Sequence, residues 1–193
     1  MYKLCKTEQS ADRQRELERG LLDAMATRRF DEISISDLCD SLQVPRKSFY
    51  RYFSGKEGAL HALIDHTLMD FADFTTEFHA GHIRSVQRDL ECFFRFWLVR
   101  RRFLDALVHG GMSGVLIDRC IAFALSEEIM PVRFLPQDSR EMQRQIITFS
   151  VCGLMSMVLT WQGSGYARDP GELAAIAVRM LSQPLFPNAD QFV

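Results

Sequence analysis

The sequence predicts an all-α fold, in which an N-terminal three-helix helix-turn-helix domain is joined by a connecting helix to a larger helical domain. Apolar residues recur three and four positions apart along most of the chain, which is the period of an amphipathic helix. No run alternates with the strand period for more than a few positions. Glycines and prolines separate the helical stretches, so the helices can be placed in order.

The first helix is predicted from Arg13 to Thr27, because leucines recur on one of its faces and charged residues occupy the others. A break follows at residues 28–33. The hydroxyl of Ser34 or of Ser36 can then accept a hydrogen bond from a free backbone N–H, as a residue before a helix does. We therefore expect the second helix to cover residues 37–42.

The third helix is predicted from Arg46 to Tyr52, after a turn that contains Gln43 and Val44. Pro45 suits the position just before or at the first turn of a helix. Two short helices joined by such a turn form a helix-turn-helix, in which the second helix of the pair enters the major groove of DNA.

A fourth helix is predicted from Lys56 toward Phe74 or Phe78, between Ser54-Gly55 and Gly81. We expect three segments from this pattern. Residues 1–57 form the helix-turn-helix domain, residues 58–80 the connecting helix, and residues 81–193 a helical regulatory domain.

Five more helices are predicted in the remainder of the chain, since breaks rich in glycine or proline divide it. The breaks lie at residues 110–114, at Pro131 and Pro136, and at residues 163–165. The predicted helices cover residues 83–100, 103–108, 115–130, 139–162 and, from Asp169 or Pro170, as far as Ser182.

Composition and charge exclude several classes of protein. The chain is 47% apolar and 25% charged, as in soluble globular proteins, and its net charge of −2 requires any contact with nucleic acid to come from a local patch. The apolar stretch at residues 146–161 is shorter than the roughly 18 residues that a membrane span needs. The N-terminus lacks the pattern of a signal peptide, and the five cysteines form no C-x-x-C pair. We therefore expect a cytoplasmic protein with reduced thiols and no membrane partner.

The third helix has the chemistry of a recognition helix. Phe49 and Phe53 share one face, which can pack on the second helix, and four cations with no carboxylate lie between Arg46 and Lys56. Lys56 also stands at a helix N-terminus, where a phosphate is favoured. The residues expected to point outward are Arg46, Lys47, Ser48, Tyr50 and Arg51.

The segment from Phe30 to Leu60 resembles the signature of TetR-type (TetR/AcrR) helix-turn-helix transcriptional regulators. It has the Ser34 hydroxyl, Val44 in the turn, the cluster Phe49-Tyr50-x-Tyr52-Phe53, and Lys56-Glu57 at the start of the fourth helix. The resemblance implies contacts with double-stranded DNA, to which Arg46 is added for its place at the start of the recognition helix. The expected DNA-binding residues are Ser34, Arg46, Lys47, Ser48, Tyr50, Tyr52 and Lys56.

The turn departs from the family pattern, because Gln43 stands where the family usually has glycine. This substitution costs up to about 1 kcal/mol if the site requires a positive φ. The position after Gly58 is also unusual, since it is Ala59 where the family usually has leucine. Both departures concern the stability of the domain more than its contacts with DNA.

The resemblance also implies a homodimer, formed by the last two long helices, and a C-terminal site for a small-molecule effector. It implies a sequence-specific regulator, a repressor that the effector releases from a palindromic operator. Residues 146–161 and 173–181 supply the apolar faces that such pairing requires. The residues expected at the effector site are Phe93, Trp97, His109, Met112, Phe149 and Trp161.

Two other functions were weighed. The sequence has no G-x-S-x-G, phosphate loop or dinucleotide fingerprint, so we predict no enzyme activity, no catalytic residue and no cofactor. The spacings of His61, His66, His79 and His82 do not predict a metal site. The alternative is a TetR-like protein that acts through protein–protein contacts, which would be marked by loss of the basic and hydroxyl groups that this recognition helix has.

Overall fold

The structure is a computed structural model that describes residues 2, 3, 5, 7–126 and 139–182. In this part of the chain the regular elements are α-helices, apart from one short 3₁₀-helix at Phe30–Glu32 and an isolated antiparallel bridge between Tyr2 and Phe53. The predicted all-α fold is therefore confirmed. The helices are α1 (Glu8–Met25), α2 (Ile35–Ser41), α3 (Arg46–Tyr52), α4 (Lys56–His79), α5 (Val86–Val99), α6 (Arg101–His109), α7 (Ser113–Leu125), α8 (Arg140–Gly163) and α9 (Pro170–Ser182).

The helix boundaries follow the capping residues. α1 begins five residues before the predicted start, because the side chain of Thr7 accepts a hydrogen bond from the Ser10 N–H. α3 has the predicted bounds. α7 ends at Leu125, and the predicted continuation to residue 130 lies, beyond Ser126, outside the described residues, as do Pro131 and Pro136.

The chain divides into two compact units. Unit 1 contains Met1–Asp70 and Arg102–Cys152, and unit 2 contains Phe71–Arg101 and Gly153–Val193. The residues of α4 and of α8 are thus shared between the units. This division differs from the predicted segments, which end at residues 57 and 80 and remain a prediction about function.

In unit 1, the connection between α1 and α2 packs against the turn that follows α6. The Phe30 N–H donates to the Gly110 carbonyl at 3.1 Å. A Cβ at Gly110 would lie 2.7 Å from the Met25 Cε, and Gly111 has a φ of +77° beside the Arg29 guanidinium. The positive φ favours glycine at Gly111, and a side chain at Gly110 would displace the end of Met25, which agrees with the break predicted at residues 110–114.

In unit 2, aromatic rings fill much of the interior. Phe96 lies against Phe71 and Phe74 of α4, with ring centroids 5.1 and 5.6 Å apart. Phe94, on the same helix α5, meets Trp161 of α8 at 6.1 Å. α5 also packs along α9. Unit 2 is therefore held together mainly by buried aromatic area.

Candidate nucleic-acid interface

The turn between α2 and α3 is fixed by backbone hydrogen bonds. The Gln43 N–H donates to the Asp40 carbonyl at 3.1 Å, and the Val44 N–H donates to the Cys39 carbonyl at 2.9 Å. This pair of bonds is the Schellman motif, which requires a left-handed residue after the helix end. Gln43 occupies that position with a φ of +54°. The site thus does require a positive φ, as the departure from the family's glycine suggested.

At the other end of α2, Ser34 caps the helix. Its hydroxyl accepts a hydrogen bond from the Asp37 N–H at 3.0 Å, while its side chain remains exposed. Of the two serines that the sequence left open, Ser34 is the cap.

α3 separates an aromatic face from a basic one. The rings of Phe49 and Phe53 are buried with centroids 5.1 Å apart, on the side that faces the domain core. Arg46 and Lys47 are exposed in the first turn, and the Tyr50 side chain is 53% exposed. Arg51 is also exposed, and Ser48 is half-buried. The structure therefore presents Arg46, Lys47, Tyr50 and Arg51 together on one short helix.

Tyr52 does not belong to this surface. The residue is only 6% exposed, and its ring lies against Phe53 at a centroid distance of 6.2 Å. Its backbone carbonyl accepts a hydrogen bond from the Lys3 N–H. Its side chain thus belongs mainly to the core of the helix-turn-helix domain, and its contact with DNA stays a prediction.

Lys56 is engaged within the domain. Its ammonium donates to the carbonyls of Phe30 and Ile33, the latter at 2.6 Å, and lies 4.5 Å from the centre of the Phe30 ring. It is half-buried rather than free at the helix start. These bonds tie the 3₁₀-helix to the start of α4, and the contact of Lys56 with a phosphate stays a prediction.

The residues expected at the effector site are divided between the two units. Phe93, Trp97 and Trp161 lie in unit 2, whereas His109, Met112 and Phe149 lie in unit 1. His109 is exposed and Phe149 is 70% exposed, so neither lines a buried pocket. Trp97 and Trp161 are buried, and Phe93 is half-buried beside Trp97 at 6.3 Å. Apolar character alone did not distinguish a pocket lining from a surface.

α8 has an exposed stripe whose members follow one another at intervals of four and three residues. The intervals alternate, which is the heptad spacing of helices that pair with another helix. The stripe consists of Met142, Ile146, Phe149, Gly153 and Ser156. α9 also exposes large apolar side chains, at Ile176, Met180 and Leu181.

By length and composition, α8 is the one helix among the described residues that meets the requirements of a membrane span. A single helix of this kind is weak evidence for a membrane protein, because a helix at the core or interface of a soluble protein has the same properties. Its apolar stripe contains Gly153 and Ser156, small residues that permit close approach of a second helix.

Comparison with known proteins yielded no matching family model. The HTH-type transcriptional regulator EthR of Mycolicibacterium smegmatis is 34% identical over 74 residues, which make up 36% of this chain and 34% of that protein. The match thus spans about a third of the length of this relative.

Solved structures share the fold at low sequence identity. The dihydroxyacetone kinase operon activator DhaS aligns with a TM-score of 0.53 and 16% identity, over 88% of this chain and 93% of its own. The fatty acid degradation regulator FadR from Bacillus halodurans aligns with a TM-score of 0.54 and 14% identity, over 94% and 98% of the two chains.

These findings agree with the segment from Phe30 to Leu60, whose residues form the helix-turn-helix that the signature predicted. The relative and the structural neighbours are regulators by name, and the described helices have the order that the resemblance implies. The described residues thus share the helical fold of these solved structures, and the chain is similar in sequence to an HTH-type transcriptional regulator, in agreement with its resemblance to TetR-type proteins.

Proposed function

We propose that this protein is a sequence-specific, DNA-binding transcriptional regulator. The observation that carries the proposal is the exposed face of α3, which presents Arg46, Lys47, Tyr50 and Arg51 while its aromatic face is buried. Between Arg46 and Lys56 the chain has no carboxylate, so the local charge is positive although the net charge is −2. A helix of this kind suits the negatively charged major groove.

The roles of the individual side chains follow from their positions. Arg46 and Lys47, in the first turn of α3, donate to guanine edges, because the N-terminal residues of a recognition helix reach the bases. Ser34, Ser48 and the Tyr50 hydroxyl bind phosphates and fix the register of the helix. Tyr52 and Lys56 support the domain from within.

The homodimer is proposed from the exposed stripe of α8. An exposed phenyl ring at Phe149, flanked by Ile146 one turn away, is costly to leave in water, and pairing with a second copy removes it from solvent. α9 adds Met180 and Leu181. A symmetric dimer presents two recognition helices to successive major grooves, which predicts a palindromic operator.

The dimer is tested by Phe149→Glu, which places a carboxylate in the stripe. We expect sedimentation of wild-type protein at micromolar concentration to give a dimer, and the variant to sediment as a monomer. The control is Glu141→Gln, an exposed substitution on the same helix outside the stripe. A variant that remains dimeric at the same concentrations would remove α8 from the interface.

The effector site is proposed within the aromatic interior of unit 2. Phe93 is half-buried there beside buried Trp97, and Phe71 meets both Phe93 and Phe96, so an apolar ligand would find rings to pack on. The effector releases the operator only if it binds the DNA-free dimer more tightly than the DNA-bound dimer. We propose repression as the outcome of operator binding.

DNA binding is tested by selecting duplexes from a random pool with the purified protein and measuring fluorescence anisotropy on the selected duplex. We expect salt-dependent binding that exceeds binding to a scrambled duplex, and a loss of about 5-fold to 100-fold in affinity for Arg46→Ala. The matched control is Arg95→Ala, an exposed arginine of α5 that is paired with Glu91. Equal and weak binding to every duplex would contradict the proposal.

A further inference from the structure

The N-terminal segment is attached to the end of the recognition helix. The Lys3 N–H donates to the Tyr52 carbonyl at 2.9 Å, and Tyr2 forms an isolated antiparallel bridge with Phe53. The last carbonyls of a helix have no partner within it, so Lys3 satisfies a group that α3 leaves open. The Cys5 thiol lies 2.7 Å from the Gln14 side-chain oxygen of α1, which holds the segment at a second point.

The side chain of Tyr2 reaches a partly buried ion pair. Its hydroxyl donates to Asp65 Oδ2 at 2.9 Å, and Asp65, on α4, is only 8% exposed. Arg119 of α7 binds the same carboxylate with two nitrogens, with its Nε 2.7 Å from Oδ1 and its Nη2 bonded to Oδ2. Three side chains therefore link α7, α4 and the N-terminal segment, all within unit 1.

The chemistry of these groups fixes which one donates each hydrogen bond and how the acceptor is oriented. Burial, followed by the hydrogen bond to Asp65, raises the pKa of Tyr2 to about 12, so the hydroxyl keeps its proton and remains a donor at physiological pH. The bidentate hydrogen bonding by Arg119 fixes the plane of the Asp65 carboxylate, and this sets the position of the carboxylate oxygen that accepts from Tyr2. The centroids of the Tyr2 and His66 rings are 5.8 Å apart, and the His66 ring is hydrogen-bonded to the Glu18 carboxylate of α1.

We infer that Tyr2 is a positioning residue for the recognition helix, and that the ion pair between Asp65 and Arg119 sets the position of Tyr2. The backbone of Tyr2 pairs with the residue after α3 while its hydroxyl is held by α4 and α7. A change in α7 that moves Arg119 therefore reaches α3 through one residue of the N-terminal segment. This inference rests on the proposed function, because its consequence is a change in operator affinity.

This connection is additional to the one that the sequence predicted. The sequence predicted a connecting helix at residues 58–80 between the helix-turn-helix and the regulatory segment. Here α7 is connected to the C-terminal end of α3 through the side chains of Arg119, Asp65 and Tyr2 and then through the backbone of the N-terminal segment. A movement of α7 is transmitted to α3 through these hydrogen-bonded groups if the groups have two alternative arrangements. Effector binding and DNA binding must then each favour one of the two arrangements.

The test is a double-substitution cycle on operator affinity, with Tyr2→Phe, Arg119→Gln and the combined variant. Tyr2→Phe removes one hydroxyl and leaves the backbone pairing, so it is the milder change. We expect each single variant to bind the selected duplex roughly threefold to thirtyfold more weakly. We expect the combined variant to bind no more weakly than the weaker single variant, because both substitutions act through Asp65. The concentration of protein able to bind DNA is determined for each variant by titration at a DNA concentration well above the Kd.

Matched controls come from unit 2. Tyr166→Phe and Arg95→Gln remove a tyrosine hydroxyl and a paired arginine away from this network, and we expect affinity within twofold of wild type. If Arg119→Gln does not fold, Arg119→Lys keeps the charge and removes the two-nitrogen contact. A purely structural role for Tyr2 would lower the unfolding temperature and leave the affinity of the folded fraction unchanged, and that result would overturn the inference.

Amide hydrogen exchange separates this inference from the proposed function. The Lys3 N–H is bonded to the Tyr52 carbonyl, so its protection reports the attachment of the segment without any DNA. We expect this protection to fall in both single variants. If wild-type protein prefers no duplex, the proposed function fails, and loss of Lys3 protection in Arg119→Gln would still support the link from α7 to α3. Unchanged protection would overturn it.

Discussion

Units 1 and 2 are stabilised by different chemistry. Unit 1 contains the ion pair between Asp65 and Arg119 and the hydrogen bond between Glu18 and His66, both part-buried. The described interior of unit 2 is dominated by aromatic rings, with Phe94 and Trp97 almost fully buried. Stabilisation by apolar burial is non-directional, whereas a hydrogen-bonded ion pair loses much of its stabilisation when one partner moves. Unit 1 is therefore the part in which a movement is expected to be transmitted.

The largest effect is expected from removing a ring in unit 2. Phe94→Ala should lower the free energy of unfolding by about 3–5 kcal/mol, because the ring is fully buried against Trp161. Both tryptophans of the chain lie in unit 2, so tryptophan fluorescence follows the unfolding of this unit. Val99→Ala, at an exposed site of the same helix, is the control and should cost less than about 0.5 kcal/mol. Equal losses in the two variants would contradict the aromatic account.

A smaller loss is expected from unit 1. Asp65→Asn keeps the shape of the side chain and removes the charge that Arg119 and Tyr2 bind, so we expect a loss of about 1–3 kcal/mol. Circular dichroism measures this change. Asp118→Asn is the matched control, because Asp118 is exposed on α7 beside Arg119. A stability equal to that of wild type would show that the ion pair contributes little beyond its desolvation cost.

Alkaline pH should also affect unit 1, through buried groups that ionise when the chain unfolds. Burial raises the pKa of the Cys120 thiol from 9.0 to about 12. Because the folded pKa lies above the unfolded one, the stabilisation is complete below pH 9 and is lost as the pH rises toward 12. We expect a loss of roughly 1.4 kcal/mol per pH unit in this window from the one thiol. The slope should be smaller in Cys120→Ala, and parallel curves for the two proteins would disprove this origin.

The helix-turn-helix was predictable from sequence because its signals are local. Capping by Ser34, the proline before α3 and the spacing of Phe49 and Phe53 each act within a few residues, and the bounds of α3 were predicted correctly. Tyr52 and Lys56 are less exposed than the sequence pattern indicated, for a physical reason. The exposure of a tyrosine or a lysine depends on its neighbours in space, which here are the Phe53 ring for Tyr52 and the Phe30 carbonyl for Lys56.

The network around Tyr2 had no sequence signal. Asp65 and Arg119 are 54 residues apart, and Tyr2 is 63 residues from Asp65. A periodic pattern places Asp65 on α4 but does not say which helix lies opposite. The same limit applies to Phe149, which the pattern placed in a pocket and the structure places on the exposed stripe of α8. Pairings over long sequence separations are fixed by the packing of whole helices, which local patterns do not determine.

The smallest effect in this series concerns the left-handed residues other than glycine, of which each unit has one among the described residues. Gln43 in unit 1 and Tyr166 in unit 2 have φ values of +54° and +59°. Gln43 is exposed, whereas the Tyr166 ring lies 5.2 Å from that of Trp161. Gln43→Gly should therefore raise the free energy of unfolding by up to about 1 kcal/mol, since glycine adopts this conformation without a steric cost.

Tyr166→Gly should change stability in the opposite direction, because it gives up a ring contact worth about 0.5–1.5 kcal/mol together with the buried area of that ring. Chemical denaturation of both variants, followed by circular dichroism and by tryptophan fluorescence, measures the two changes. If both variants gained stability, backbone strain would outweigh aromatic packing in unit 2 as well, and the contrast between the two units would not hold at this position. If both lost stability, the side chain of Gln43 would have to make a contact that outweighs the strain of its turn.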